Sequence, residues 1–291
     1  MHFQFQQLLS LSFIVLLSTY VGTLYLTLGS IFSVLLFVML VEHLFIYIKE
    51  KSVSYISFSS LSTALGVMLM MVTPYVWVTM FVTFFALLQK QFLTVEKKHF
   101  FNPSNFALLL ALTLFYKDAH IVLGQLGDTL WLKLVLIVVA MSILVRVNRW
   151  VIPLSFTLFY LLFQYYFVVS YDPVLIMEDL YHRFYSVSFT LFILFMLTDP
   201  KTTPQALPLQ LVFALLIAFC ATLLDRIYGF RVQHLFMVLF LLTPLVPLVT
   251  TYKESKNKKR LLIFTLSIFL LALSVIIFIQ SQPPYYYEME N

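Results

Sequence analysis

The chain has 291 residues, 62% of them hydrophobic and 11% charged, with a mean hydropathy of +0.96. A soluble domain carries roughly a quarter charged residues, so water is not its main solvent. The single cysteine, Cys220, excludes an internal disulfide and reads as a packing residue in an apolar run.

Apolar runs that cross, or nearly cross, about 30 Å of hydrocarbon occur at Leu8 to Leu28, Ser30 to Ile48, Phe58 to Val72, Tyr75 to Leu88, Asn105 to Phe115, Leu130 to Val145, Trp150 to Ser170, Ser186 to Leu197, Leu207 to Leu224, Leu235 to Thr250 and Leu261 to Ile279. They are continuous, without alternating polar positions, which selects helices over a closed barrel. The expected fold is all-α: one integral membrane domain over residues 1–291, a polytopic helical bundle of ten or eleven spans, some short or broken. A first half covers 1–116, a second half 117–280 and a short tail 281–291.

The first run has no Lys or Arg before it and no small-residue cleavage site after it, so it is expected to stay as a span. In the second, Glu42 and His43 sit one turn before the end, where Glu42 is expected to snorkel to the interface or pair with Lys49. The third carries Ser59, Ser60, Ser62, Thr63 and Gly66, small residues that suit close helix packing or the wall of a cofactor site.

Asn105 to Phe115 and Ser186 to Leu197 are too short to cross alone, and broken segments are tolerated where they line an enclosed cavity. Each adjoins a distinctive motif. His99, Phe100, Phe101, Asn102, Pro103, Ser104 and Asn105 precede the first; Asn as a cap and Pro at the first helical position start a helix. Ser104 and Asn105 add polar groups that can also face a ligand. After the second come Thr198, Asp199, Pro200, Lys201, Thr202, Thr203 and Pro204, a turn at a span exit or the wall of a polar pocket. Lipid does not tolerate stray polar groups, so the two breaks are expected to fold toward each other around one polar chamber.

Alternate connections hold Lys49 and Lys51; Lys90, Lys97 and Lys98; Arg146 and Arg149; Lys201; and Lys253, Lys256, Lys258, Lys259 and Arg260. These are expected to face the cytoplasm, placing the amino terminus on the cytoplasmic side of a cell membrane. The net charge of +5 is therefore a topology signal, and no nucleic-acid partner is expected. Acidic residues from Asp172 to Asp179 mark the opposite side, and Pro283 to Tyr287 read as an interface anchor. His99, His120, His182 and His234 fall in loops or at span ends, where solvated or interfacial histidines are expected and haem is not. Soluble-enzyme motifs are absent from the sequence.

Glu42, Ser62 with Thr63, the Phe101-Asn102-Pro103 turn and Thr198-Asp199-Pro200 with Pro204, in that order, resemble the NqrB/RnfD family of membrane flavoprotein subunits. The FNPSN and TDPKTTP versions look most similar to its short UnbU-type branch, found in enediyne gene clusters. The resemblance spans about Glu42 to Pro204. It implies a membrane electron-transport subunit of an oxidoreductase complex, with a flavin, riboflavin or FMN, held non-covalently by Asn102, Asn105, Thr198, Asp199, Thr202, Ser62 and Thr63. It also implies other membrane or soluble redox subunits as partners, beside membrane lipids. The Ser-Gly-Ala-Thr motif that carries covalent FMN in the family is missing. Its nearest counterpart runs from Gly124 to Thr129, where Thr129 is either a degenerate attachment point or part of an Asp-Thr helix start. A small-molecule permease or exporter on the same fold is the alternative.

Overall fold

The computed structural model describes residues 3–21, 26–51, 57–95, 98–121, 134, 137–138, 149–171, 177–251 and 258–282. Its helices are α1 (Phe3–Val21), α2 (Leu28–Glu50), α3 (Phe58–Met70), α4 (Val76–Phe92), α5 (Pro103–Leu114), α6 (Val151–Gln164), α7 (Met177–Tyr185), α8 (Val187–Leu191), α9 (Leu207–Tyr228), α10 (Gln233–Leu242), α11 (Leu245–Thr251) and α12 (Lys258–Ser281). The only strands among the described residues are two-residue pairs: β1 (Met71–Val72) with β4 (His120–Ile121), and β2 (Thr94–Val95) with β3 (Lys98–His99). The expected Leu130 to Val145 span and Thr129 lie outside the described residues, apart from 134, 137 and 138.

Five segments are long and apolar enough to cross a membrane: Leu28–Glu50, Val151–Val169, Leu207–Tyr228, Gln233–Thr250 and Lys258–Ser281. α3, α4 and α5 are apolar but shorter. Burial is arranged as lipid requires. On α2 the face of Ile31, Val34, Val38, Val41 and Phe45 is buried, while Phe32, Leu36, Leu40 and Leu44 line the opposite face, exposed. A soluble helix would place charge there; here both faces are apolar, and the outer one has only hydrocarbon to meet.

Beyond α6 the Val151–Val169 span widens into a π turn over Tyr165–Val169, and two other spans are interrupted. The Gln233–Thr250 segment turns at Thr243 and Pro244 between α10 and α11, since proline lacks the amide that would continue the ladder. The Ser186 to Leu197 run is one short helix, α8, capped by Ser186 Oγ accepting the Phe189 amide, followed by a π turn over Phe192–Met196. The Leu197 amide reaches back five residues to Phe192 O, at 2.8 Å. Such widened turns concentrate at functional sites, and this one delivers the chain to Thr198 and Asp199.

α6 and α9 form the most extensive helix pair; α1 packs on α3, and α4 on α5 and α2. α10 joins the two halves by packing against both α9 and α5.

Candidate functional site

Asn102 does two jobs. Its Oδ1 accepts the Asn105 amide at 3.1 Å, capping α5 ahead of Pro103, and its Nδ2 donates to Asp199 Oδ2 at 3.0 Å. The expected meeting of the Asn-Pro and Asp-Pro breaks is therefore present as a direct hydrogen bond between residues 97 positions apart. His99 Nε2 lies 3.5 Å from the same carboxylate oxygen.

The other Asp199 oxygen, Oδ1, accepts the Lys201 amide at 3.0 Å, and the Asp199 carbonyl accepts the Thr202 and Thr203 amides and the Thr203 hydroxyl. This tight turn is pinned from outside by Arg149, whose Nη1 donates to Pro204 O. Burial opposes the charge on Asp199. The His99 ring, then the Lys201 amide and ammonium, more than offset it, holding the carboxyl below the usual carboxylate range.

A partly open cavity of about 140 Å³ lies against this pair. Its polar lining comes from Gln4 and Gln7 of α1, Ser59, Ser62 and Thr63 of α3, Ser104, His99, Asn102, Thr198, Asp199 and Lys201; Leu11, Met70, Leu194, Phe195 and Met196 give its apolar wall. From Ser59 to Met70 it follows α3 for about 16 Å at 1.5 Å per residue. Ser62, Thr63 and Thr198 each donate to the carbonyl four residues behind, Phe58, Ser59 and Leu194 respectively. Their oxygens keep lone pairs with which to accept.

Close approach of α3 and α5 shapes one wall. A Cβ at Gly66 would lie 3.0 Å from Ser104 Oγ, and Ser104 Oγ donates to Thr63 O at 3.2 Å.

Of the seven residues expected to hold a cofactor, Ser62, Thr63, Asn102, Thr198 and Asp199 line this cavity, and Asn105 and Thr202 do not. The Asn105 Nδ2 donates to Phe236 O in α10, at 3.1 Å. Its Oδ1 and the Thr202 hydroxyl are buried without hydrogen-bond partners among the described residues.

Two expectations for charged groups need correction. Glu42 is 2% exposed and does not snorkel. Its Oε1 accepts from Lys90 Nζ at 3.2 Å and Gln91 Nε2 at 2.8 Å, while Lys49 donates to Gln91 O instead. His234 is not interfacial but fully buried, its Nδ1 2.7 Å from Asp225 Oδ1, and His99, expected to be solvated or interfacial, is 4% exposed.

Asp225 was missed because the apolar run was closed at Leu224, which left it in a connection. It belongs to α9 and is 2% exposed. Its Oδ2 accepts from Gln164 Nε2 at 2.6 Å, Arg183 Nη1 at 2.7 Å and Tyr160 Oη at 3.1 Å. Its Oδ1 accepts the Arg231 amide at 3.1 Å as well as His234. The available signal was a lone acid at the end of a long apolar helix, which is a functional-site hypothesis by default.

Fold and cavity together define a multi-pass helical membrane protein with a polar chamber built on two helix breaks. Among known sequences, the profile of the NQR2, RnfD, RnfE family matches residues 112–259, just over half of the chain. The chain belongs to that family, a class of membrane electron-transport subunits that work in multi-subunit complexes. The matched region includes the Asp199 turn and Asp225; Asn102 lies before it. No match to a curated protein was found.

Proposed function

We propose that the chain relays electrons through a flavin held non-covalently in the chamber between the Asn102 and Asp199 breaks. The Asn102 to Asp199 hydrogen bond carries this reading, because it joins the two motifs into one wall that is polar and partly buried.

The lining suits the polar edge of a flavin ring, which presents carbonyls and an N–H. Asn102, Gln4, Gln7 and Lys201 supply donors, and the Ser62, Thr63 and Thr198 oxygens can accept. The present room is close to the roughly 150 Å³ that takes a single benzene-sized ring, less than a three-ring flavin occupies. The apolar remainder needs Met70 and Met196 to swing aside, which unbranched thioethers do readily.

A bound flavin supplies the electron-accepting chemistry, and the protein sets its potential by burial, hydrogen bonds and charge. Asp199, held ionised, places negative charge beside the ring and disfavours added negative charge there. α1 and α3 keep bulk water from one side of the chamber. Without the Ser-Gly-Ala-Thr motif, attachment is non-covalent.

Absorbance of the detergent-purified chain near the flavin bands, with a fluorescence test on denaturing gels, checks the reading. Expected are released flavin in solution and none on the protein band. Asn102→Ala with Asp199→Ala should lower flavin per chain at least tenfold while the protein stays monodisperse. Equal flavin in that double variant would defeat the site. A colourless wild-type protein would defeat the cofactor and favour the permease reading.

A further inference from the structure

Asp225 and its partners form a second buried polar centre that the chamber does not use. Asp225 lies 18 residues beyond the start of α9, about 27 Å along the helix at 1.5 Å per residue. α6 contributes Tyr160 and Gln164, α7 contributes Arg183, and α10 contributes His234. Tyr160, Gln164 and His234 are 0% exposed and Arg183 is 3%. Tyr160 Oη also accepts from Arg183 Nη1, and the guanidinium lies 3.3 Å from the centroid of the Phe230 ring.

The carboxylate accepts five donors, yet its partners are left incomplete. His234 Nε2, Gln164 Oε1 and Arg183 Nε are buried without hydrogen-bond partners among the described residues. An orphaned polar atom in an apolar interior costs roughly 1–3 kcal/mol, and of the three only His234 Nε2 is an atom whose role an added occupant as small as a proton would change.

Chemistry narrows that occupant. A hard cation asks for several oxygen ligands, but both Asp225 oxygens are taken up by N–H and O–H donors, and Arg183 repels positive ions from the same position. An organic ligand needs space that fully buried, mutually bonded side chains do not leave. A proton needs no volume and needs one lone pair. In the neutral ring, with Nδ1–H donating to Asp225 Oδ1, Nε2 holds that lone pair. This is the arrangement in which a carboxylate fixes the tautomer of a histidine base and stabilises its protonated form.

We propose that His234, oriented by Asp225, is a proton-binding site: Nε2 takes one proton from the medium beside the Gly229 to Val232 connection, and the cluster of Asp225, Arg183 and His234 passes from net zero to one positive charge. The titratable or charged groups facing the ring and its carboxylate are Tyr160 of α6, Arg183 of α7 and Asp225 of α9. None of these depends on a flavin being bound.

The test uses full-length chain in lipid nanodiscs, labelled with ¹⁵N-histidine, with ring nitrogens followed by NMR as the medium is acidified and then neutralised. One signal, absent from His234→Gln, is expected to change reversibly from the singly to the doubly protonated ring. In Asp225→Asn, proton binding at that ring should weaken at least tenfold. Should that variant fail to fold, Arg183→Gln gives the opposite arm: removing the neighbouring positive charge should tighten proton binding at least tenfold. A His234 ring that keeps one protonation state throughout, or that titrates unchanged in whichever variant folds, overturns the proposal.

Discussion

At Asn102 a helix cap and a tertiary bridge share one side chain, and they can be separated experimentally. Aspartate caps a helix as well as asparagine does, so Asn102→Asp keeps the bond to the Asn105 amide but replaces the Nδ2 donor with an oxygen facing Asp199 at about the same 3.0 Å. Two carboxylates that close repel unless one binds a proton. The variant should therefore unfold at lower temperature than wild type at pH 7, by an amount equivalent to about 1–3 kcal/mol, and the deficit should shrink as pH falls toward 4.5. A deficit independent of pH would mean that the bridge is not formed. The cap was legible at once, because Asn-Pro before an apolar run is local chemistry. That Asn102 and Asp199 share a wall was legible only as a consequence of what lipid forbids. The Asp225 to Arg183 and His234 contacts were not legible, since residues 42 and 9 positions apart meet through packing that no local pattern encodes.

Among the elements, α2, α9 and α12 follow the apolar runs closely, because crossing hydrocarbon sets a length that sequence displays directly. The broken ones differ: α8 with its π turn replaces a single short span, and Thr243-Pro244 divides another. Their shapes depend on neighbours, among them Phe236, whose ring sits edge-on to Phe192 at 5.1 Å. α3 was open to two readings, close packing or cofactor wall, and it packs closely at Gly66 while Ser62 and Thr63 line the chamber. Size at Gly66 is thus the sensitive variable. Gly66→Leu should drive α3 from Ser104 and lower stability by about 1–3 kcal/mol, the usual cost of overpacking, seen as a fall in Tm in detergent. Gly66→Ala, whose single methyl group requires Ser104 to give by a few tenths of an ångström, should cost less. Equal Tm values for Gly66→Leu and wild type would show that the two helices do not approach as described.

Across the whole molecule, the chamber and the Asp225 centre are joined by the first turn of α10. His234 binds Asp225, and two residues on, the Phe236 carbonyl accepts Asn105, whose amide is capped by Asn102, the partner of Asp199. α9 connects the same two regions, starting just after the Asp199 turn and ending beside Asp225. At the chamber end lie Lys90, Arg149 and Lys201, and also Lys258, Lys259 and Arg260, which open α12, whose Phe264 packs on Phe100. The Asp225 end has Arg183, Arg226 and Arg231, and cytoplasmic connections are the ones richer in Lys and Arg. The chamber end of α9 is therefore expected to face the cytoplasm and the Asp225 end the outside. Two exposed positions flanking α9 decide this: Lys201 before it and Tyr228 at its close. In a Cys220→Ser background, which removes the natural thiol, Tyr228→Cys should react with a membrane-impermeant maleimide on intact cells, and Lys201→Cys should react only after permeabilisation. The reverse pattern would turn the molecule over, so that His234 would draw its proton from the cytoplasm and the chamber would open outward. Labelling of both from one side would show that α9 does not cross the bilayer, removing the separation between the two sites on which their distinct roles depend.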